Sequence, residues 1–182
     1  MPDDLEVIQR VITGDRESFR LLVERHQGSV WRVVTGLLGP GTDAEDAAQD
    51  VFMAAYVHLK SFDAGKATFS TWLLTIARNH CINTMKRRRP MHVANLPELA
   101  ELRTPETVIA KREWFERLDA ALDCLPVEQK TAFVLAEIEG LSLEETAQIE
   151  DVPLGTVKSR IARAKQKLRA VLKSPEGVEE LR

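Results

Sequence analysis

The sequence predicts an all-α protein: two small helical domains joined by a flexible linker, the second a four-helix domain with a helix-turn-helix. Three observations predict it. Apolar residues recur at helical steps, as at Val157, Ile161, Ala164, Leu168 and Leu172. Helix-opening and helix-closing signals follow one another at short intervals along the chain. Between two such helical stretches, residues 88–105 hold Pro90, Pro97 and Pro105. The domains therefore read as 1–89 and 106–182, with 90–105 as linker. At 182 residues and 44% apolar content the chain can bury real cores, each half lying near the small end for a domain.

The first helix runs from about Leu5 to Thr13. The second runs from an Asp15 cap to about Leu38, where Gly39-Pro40-Gly41 breaks it. For the third, Thr42 and Glu45 read as a capping box, and Ala48, Phe52, Ala55, Leu59 and Phe62 as the core stripe, with an end near Phe62. Opposite that stripe, Asp43, Asp46, Asp50, Met53 and Val57 also follow helical spacing. An acidic face carrying apolar residues away from the core has the character of a docking surface. The plainer alternative is that the early acids only complement the helix dipole and that Met53 and Val57 are scattered surface residues.

The fourth helix, about Thr68 to Arg88, has Phe69, Leu73, Ile76 and His80 on one side and Leu74, Cys81 and Met85 on another, so it is buried on two faces. His80 on the core line reads as a packed histidine. Along one edge run Trp72, Asn79, Asn83 and Lys86, and the helix ends in Lys86-Arg87-Arg88-Arg89. Asparagine is a poor mid-helix residue; two of them four apart, leading to cations, suit amides that read exposed bases while the basic end holds a backbone. Ordinary capping, solvation and packing remain the alternative.

After the linker, Thr104-Pro105-Glu106 reads as an N-cap with proline at the first helical position. Gly140 closes a later helix, and Ser142 with Glu145 opens a short one through about Glu150. Asp151-Val152-Pro153 reads as a tight turn, and Ala147 is small enough for the flanking helices to cross closely. Short helix, turn and long basic helix make a helix-turn-helix at about 142–170, without the glycine often found in the turn.

Its second helix holds Lys158, Arg160, Arg163, Lys165, Lys167, Arg169 and Lys173 and no acid, in a chain whose net charge is −3. At about 100° per residue, Thr156, Ser159, Ala162, Arg163 and Gln166 fall opposite the apolar stripe, with Lys158, Lys165 and Arg169 on one flank and Arg160 and Lys167 on the other. Small and polar groups between two banks of cations suit a major groove, where cations meet phosphates and central residues reach base edges. A solvated or membrane-surface amphipathic helix is the alternative, though the outer face lacks bulky aromatic anchors.

Charge alternates along the chain: net −5 over 3–63, +6 over 64–92, −9 over 93–153, +7 over 154–175 and −2 beyond. A simple nucleic-acid coat would be basic throughout, so two DNA contacts separated by other surfaces are expected. No apolar run approaches 18 residues and no signal peptide opens the chain, which predicts a soluble, cytoplasmic protein without membrane insertion. Cys81 and Cys124 read as reduced packing residues. The absence of P-loop, HExxH, GxSxG and metal-ligand patterns predicts no enzyme, no catalytic residue, no metal and no cofactor.

Three segments together carry a resemblance: DAEDAAQDVFMAAYVHLKSF, FSTWLLTIARNHCINTMKRRRP and LPVEQKTAFVLAEIEGLSLEETAQIEDVPLGTVKSRIARAKQKLRAVL. In order and spacing they resemble the extracytoplasmic-function sigma factors of bacterial RNA polymerase, over about residues 5–172. The resemblance implies that the first half docks on the clamp helices of the polymerase's largest subunit and captures the -10 element, and that the second reads the -35 element and meets the flap. Asp46, Gln49, Asp50, Phe52 and Met53 match the polymerase-docking helix, which agrees with the stripe that also includes Asp43 and Val57. Asn79 and Asn83 match positions that read the unpaired -10 strand, with Trp72, Lys86, Arg87 and Arg88 nearby. Lys158, Ser159, Ala162 and Arg163 match -35 contact positions, inside the wider face of Thr156, Arg160, Lys165 and Lys167. Implied partners are core RNA polymerase, promoter DNA and an anti-sigma factor. The rival reading is a stand-alone helix-turn-helix regulator.

Overall fold

A computed structural model describes residues 2–87 and 117–173. Among the described residues there are helices and turns and no strand. The expected linker at 90–105, the N-cap at 104–106 and Arg88 lie outside them.

Helix α1 (Asp4–Ile12) opens at Asp3, whose carboxylate accepts from the Glu6 amide at 2.8 Å, meeting one of the donors a helix start leaves over. Asp15 caps a single 3-10 turn, Arg16–Ser18, which leads into α2 (Phe19–Leu38). Gly39, at φ 80°, ends α2 as the glycine pattern predicts. Asp4 anchors α1 to α2, taking Arg25 at 2.8 Å and the His26 ring at 2.9 Å.

Helix α3 (Thr42–His58) corrects two expectations. Its N-cap is Gly41, with φ 137°, and no side chain caps it. Glycine turns the chain into the helix one residue early, so Thr42 already stands in the first turn and the Thr42/Glu45 capping box does not form. The core stripe also shifts by one position in its first half, while Ala55 and Leu59 are buried as expected. Ala44, Ala47, Val51, Ala55 and Leu59 are buried, while Ala48, Phe52 and Phe62 are only half-buried. Small alanines let α3 lie close against its neighbours, and bulky Phe52 is left at the rim.

Helix α4 (Phe69–Arg87) buries Phe69, Thr71, Leu73, Leu74, Ala77 and Cys81, the two-sided burial its sequence predicts. His80 is the exception. Its ring is part-exposed at the edge, with Nε2 3.6 Å from the Asp50 carboxylate.

The second half comprises α5 (residues 117–123), α6 (Val127–Phe133), α7 (Leu143–Glu150) and α8 (Leu154–Lys173). Helix α6 continues into a π turn, Val134–Ile138, closed by the Glu139 amide donating to the Val134 carbonyl at 2.9 Å. Ala121, Leu122, Leu125, Ala164, Leu168 and Val171 form one small core, and Ala132, Val157 and Ile161 another.

Neither half stands apart. Val134, Leu135 and Ile149 are buried in the same cluster as Leu37, Leu73, Leu74 and Cys81 of the first half. Helix α2 meets the π turn, and α4 meets α7.

Candidate nucleic-acid interface and docking face

The helix-turn-helix forms through local chemistry. The Ser142 hydroxyl accepts from the Glu145 amide at 3.1 Å while the Glu145 carboxylate accepts from the Ser142 amide at 2.9 Å, a complete capping box. Where a turn glycine is missing, Asp151 takes the left-handed conformation itself, φ 54° and ψ 50°. Asp tolerates that region better than most residues, which explains how the motif closes without glycine. Ala147 packs in the small core with Val157 and Ile161, at the crossing of α7 and α8.

On α8, Val157, Ile161, Ala164 and Leu168 are buried as the periodicity predicts, and Val171 rather than Leu172 completes the stripe. That burial uses up the apolar face, so α8 has none left for a membrane surface. Lys158, Ser159, Ala162, Arg163, Gln166 and Arg169 are exposed, and Thr156 and Lys167 half-exposed. Two cations of the predicted set are drawn to carboxylates: Arg160 Nη1 donates to Glu150 Oε2 at 2.7 Å, and Lys165 Nζ lies 2.8 Å from Glu137 Oε2. Glu150 is buried, and desolvation raises its pKa despite Arg160.

Along α4, Asn79, Asn83, Lys86 and Arg87 share exposure on one edge. The Asn79 side-chain oxygen accepts from Arg78 Nη1 at 2.9 Å. Trp72 is half-buried beside Phe62 and Phe69, ring centres 5.5 and 5.7 Å away. Packing thus fixes the indole at the foot of the amide edge.

On α3, Asp43, Asp46, Gln49 and Asp50 are exposed, and Met53 and Val57 remain 63% and 68% exposed. Two large apolar residues thus stay open on the helix face that carries three acids. Phe52 turns instead toward α2, lining with Ala48 and Gln49 an apolar cleft whose other wall is Val23, Gln27 and Trp31. Trp31, 40% exposed, is a member of this face that the sequence pattern does not single out. Its spacing of four from Gln27 and eight from Val23 is the available signal.

Three exposed faces therefore lie on three helices, each of different chemistry. Residues 22–90 match Sigma-70 region 2, and residues 115–168 match Sigma-70, region 4. The ECF RNA polymerase sigma-E factor of Haemophilus influenzae is 38% identical over 175 residues, 90% of this chain and 92% of its own. This chain belongs to the ECF sigma factors. The sigma factor is also 33% identical to the ECF RNA polymerase sigma factor SigW of Bacillus subtilis over 178 residues, 91% of this chain and 95% of that one. Among solved structures it is similar to CnrH in complex with the cytosolic domain of CnrY, with TM-score 0.73, 27% identity and coverage of 93% and 96% of the two chains. It is similar as well to the sigma factor RpoE in complex with the anti-sigma factor NepR from Bartonella quintana, with TM-score 0.68, 27% identity and coverage of 87% and 99%. A sigma factor directs core RNA polymerase to promoters, and homology through both halves disfavours the stand-alone regulator. Among the described residues, no helix is long and apolar enough to cross a membrane and no cluster of His, Cys, Asp and Glu could hold a metal ion.

Proposed function

We propose that this sigma factor divides its work among the three faces. Residues 1–89 dock on polymerase and read the -10 element, 90–105 link, and 106–182 read the -35 element. The acidic and apolar face of α3, formed by Asp43, Asp46, Gln49, Asp50, Met53 and Val57, with Phe52 in the cleft at its rim, meets the basic clamp helices of core polymerase. The edge of Trp72, Asn79, Asn83, Lys86, Arg87 and Arg88 takes the unpaired -10 strand, the amides hydrogen-bonding a flipped base while the cations hold phosphates. Unstacking that base costs a few kcal/mol, which the new contacts offset. In the -35 major groove, Ser159, Ala162 and Arg163 face bases, while Thr156, Lys158 and Lys167 approach the backbone. Arg160 and Lys165 join them once released from, or shared with, Glu150 and Glu137.

The observation that carries this division is the separation of chemistries: acids with open Met53 and Val57 on α3, amides and cations on α4, cations around small polar groups on α8. The protein performs no catalysis itself and works in the cytoplasm, where polymerase and promoters are. An anti-sigma factor is a further partner, by analogy with the solved complex of RpoE with NepR.

Run-off transcription with bacterial core polymerase on a promoter library, with and without this protein, tests the reading. Transcripts that start at a shared pair of elements only when the protein is present are expected. Library transcription that is the same with and without it would overturn the proposal.

A further inference from the structure

Asn79 on α4 has one end of its amide already engaged. Its side-chain oxygen accepts from Arg78 Nη1 at 2.9 Å, and among the described residues no other hydrogen bond involves the group. A guanidinium has donors and no acceptor, so the amide atom that faces it has to be the oxygen, and the amino group is the end left free. Arg78 is half-buried, with its Nε shielded from solvent, so the side chain is packed rather than swinging in water. Donor and acceptor are sequence neighbours on one helix, so the bond travels with α4. Asn83, one turn further on, is also exposed and has no such partner among the described residues. The two amides of this edge are therefore not equivalent: one is oriented by a cation, the other is free to turn.

We propose that Arg78 sets the base preference of the -10 contact by holding Asn79 as a hydrogen-bond donor. The inference rests on the reading above in which Asn79 meets a flipped base. An unconstrained asparagine pairs best with adenine, its oxygen taking the N6 amino group while its own amino group donates to N7. Here the oxygen already serves the guanidinium, and a base amino group brought to it would meet a cation and competing N–H donors. Arg78 and Asn79 together present a row of donors: the amide amino group and, beside it, the remaining guanidinium N–H groups. Such an edge suits a base with two adjacent acceptors, guanine through O6 and N7 or cytosine through N3 and O2. Adenine, whose N6 amino group stands next to both N1 and N7, is disfavoured. Arg78 is thus a positioning residue, acting on the base through Asn79.

The test uses holoenzyme made from the full chain and bacterial core polymerase, on a promoter library randomised through the -10 element, with transcript yield read for each base. Asn79→Ala locates the contact, because the position Asn79 reads is the one whose base preference that variant flattens. There the parent is expected to favour guanine or cytosine over adenine. Arg78→Met frees the amide and is expected to raise adenine relative to the favoured base by at least about fivefold. Arg78→Lys keeps a cationic donor beside the oxygen and is expected to rank the bases as the parent does. A parent that favours adenine at that position overturns the inference. So does an Arg78→Met holoenzyme that keeps the parent's ranking, or one that loses transcription equally on all four bases, as a purely structural or backbone-binding arginine would. If Asn79→Ala flattens no position, the reading on which the inference rests fails with it, and that result tells the two failures apart.

Discussion

Arg160 on α8 reaches back across the turn to Glu150, the last residue of α7, at 2.7 Å, and joins the two helices of the helix-turn-helix. The other Glu150 oxygen is buried with no hydrogen-bond partner among the described residues. Burial pushes the Glu150 pKa up from 4.5, the Arg160 pairing opposing it. The folded chain therefore holds a proton there more readily than the unfolded one. Stability contributed by this group is greatest below the ordinary carboxylate value and falls as pH rises through the window above it. Glu150→Gln, which mimics the protonated form, should gain melting temperature relative to the parent as pH is raised from about 4 to 7.5. A difference that shrinks with rising pH would contradict that sign.

Arg163 is exposed at the centre of the α8 face, and no ion pair engages it among the described residues. Arg163→Ala should weaken binding at the -35 element by about 1 to 3 kcal/mol while leaving core binding intact. Footprinting of the holoenzyme, beside a pull-down of polymerase, separates the two effects.

Asp50 lies on a different helix face, exposed on α3. Asp50→Arg should do the reverse, abolishing holoenzyme assembly through like-charge repulsion with a basic clamp. If this variant and Arg163→Ala lost core binding equally, the division of surfaces would be wrong.

Met53 and Val57 make the apolar part of that face. Because both are open to solvent, Met53→Ala and Val57→Ala should shift folding stability by no more than about 0.5 kcal/mol. Each should nonetheless weaken core binding, the double variant by more than about 1 kcal/mol, as measured by fluorescence titration.

Asp151 occupies a conformation glycine adopts without strain. Asp151→Gly should be neutral or stabilising by up to about 1 kcal/mol, whereas Asp151→Val should destabilise by more than that. Thermal melts of the two variants read the difference directly.

Helical periodicity and capping are local, and what they govern is legible in the order of residues. The Ser142/Glu145 box, the break at Gly39, the Val157-to-Leu168 stripe and the exposed faces of α3, α4 and α8 all follow from residues within a few positions of one another. Even so, one glycine displaces Thr42 from its cap, and the first half of the α3 stripe moves to Ala47 and Val51 because neighbouring helices accept small side chains more closely than Phe52. Tertiary structure decided the rest. The Lys130 ammonium donates to the Leu37 carbonyl from 93 residues away, Arg32 to Glu139 from 107, and Gly36 leaves room for Val134. In sequence, Lys130 is one base in an acidic stretch and Gly36 an unexplained interruption of a helix. A contact between distant residues leaves no period to read, because it depends on where two already formed helices meet. The chain by itself thus determined which helices form and which faces they offer; packing decided which cations are engaged and that the halves lie closed upon each other.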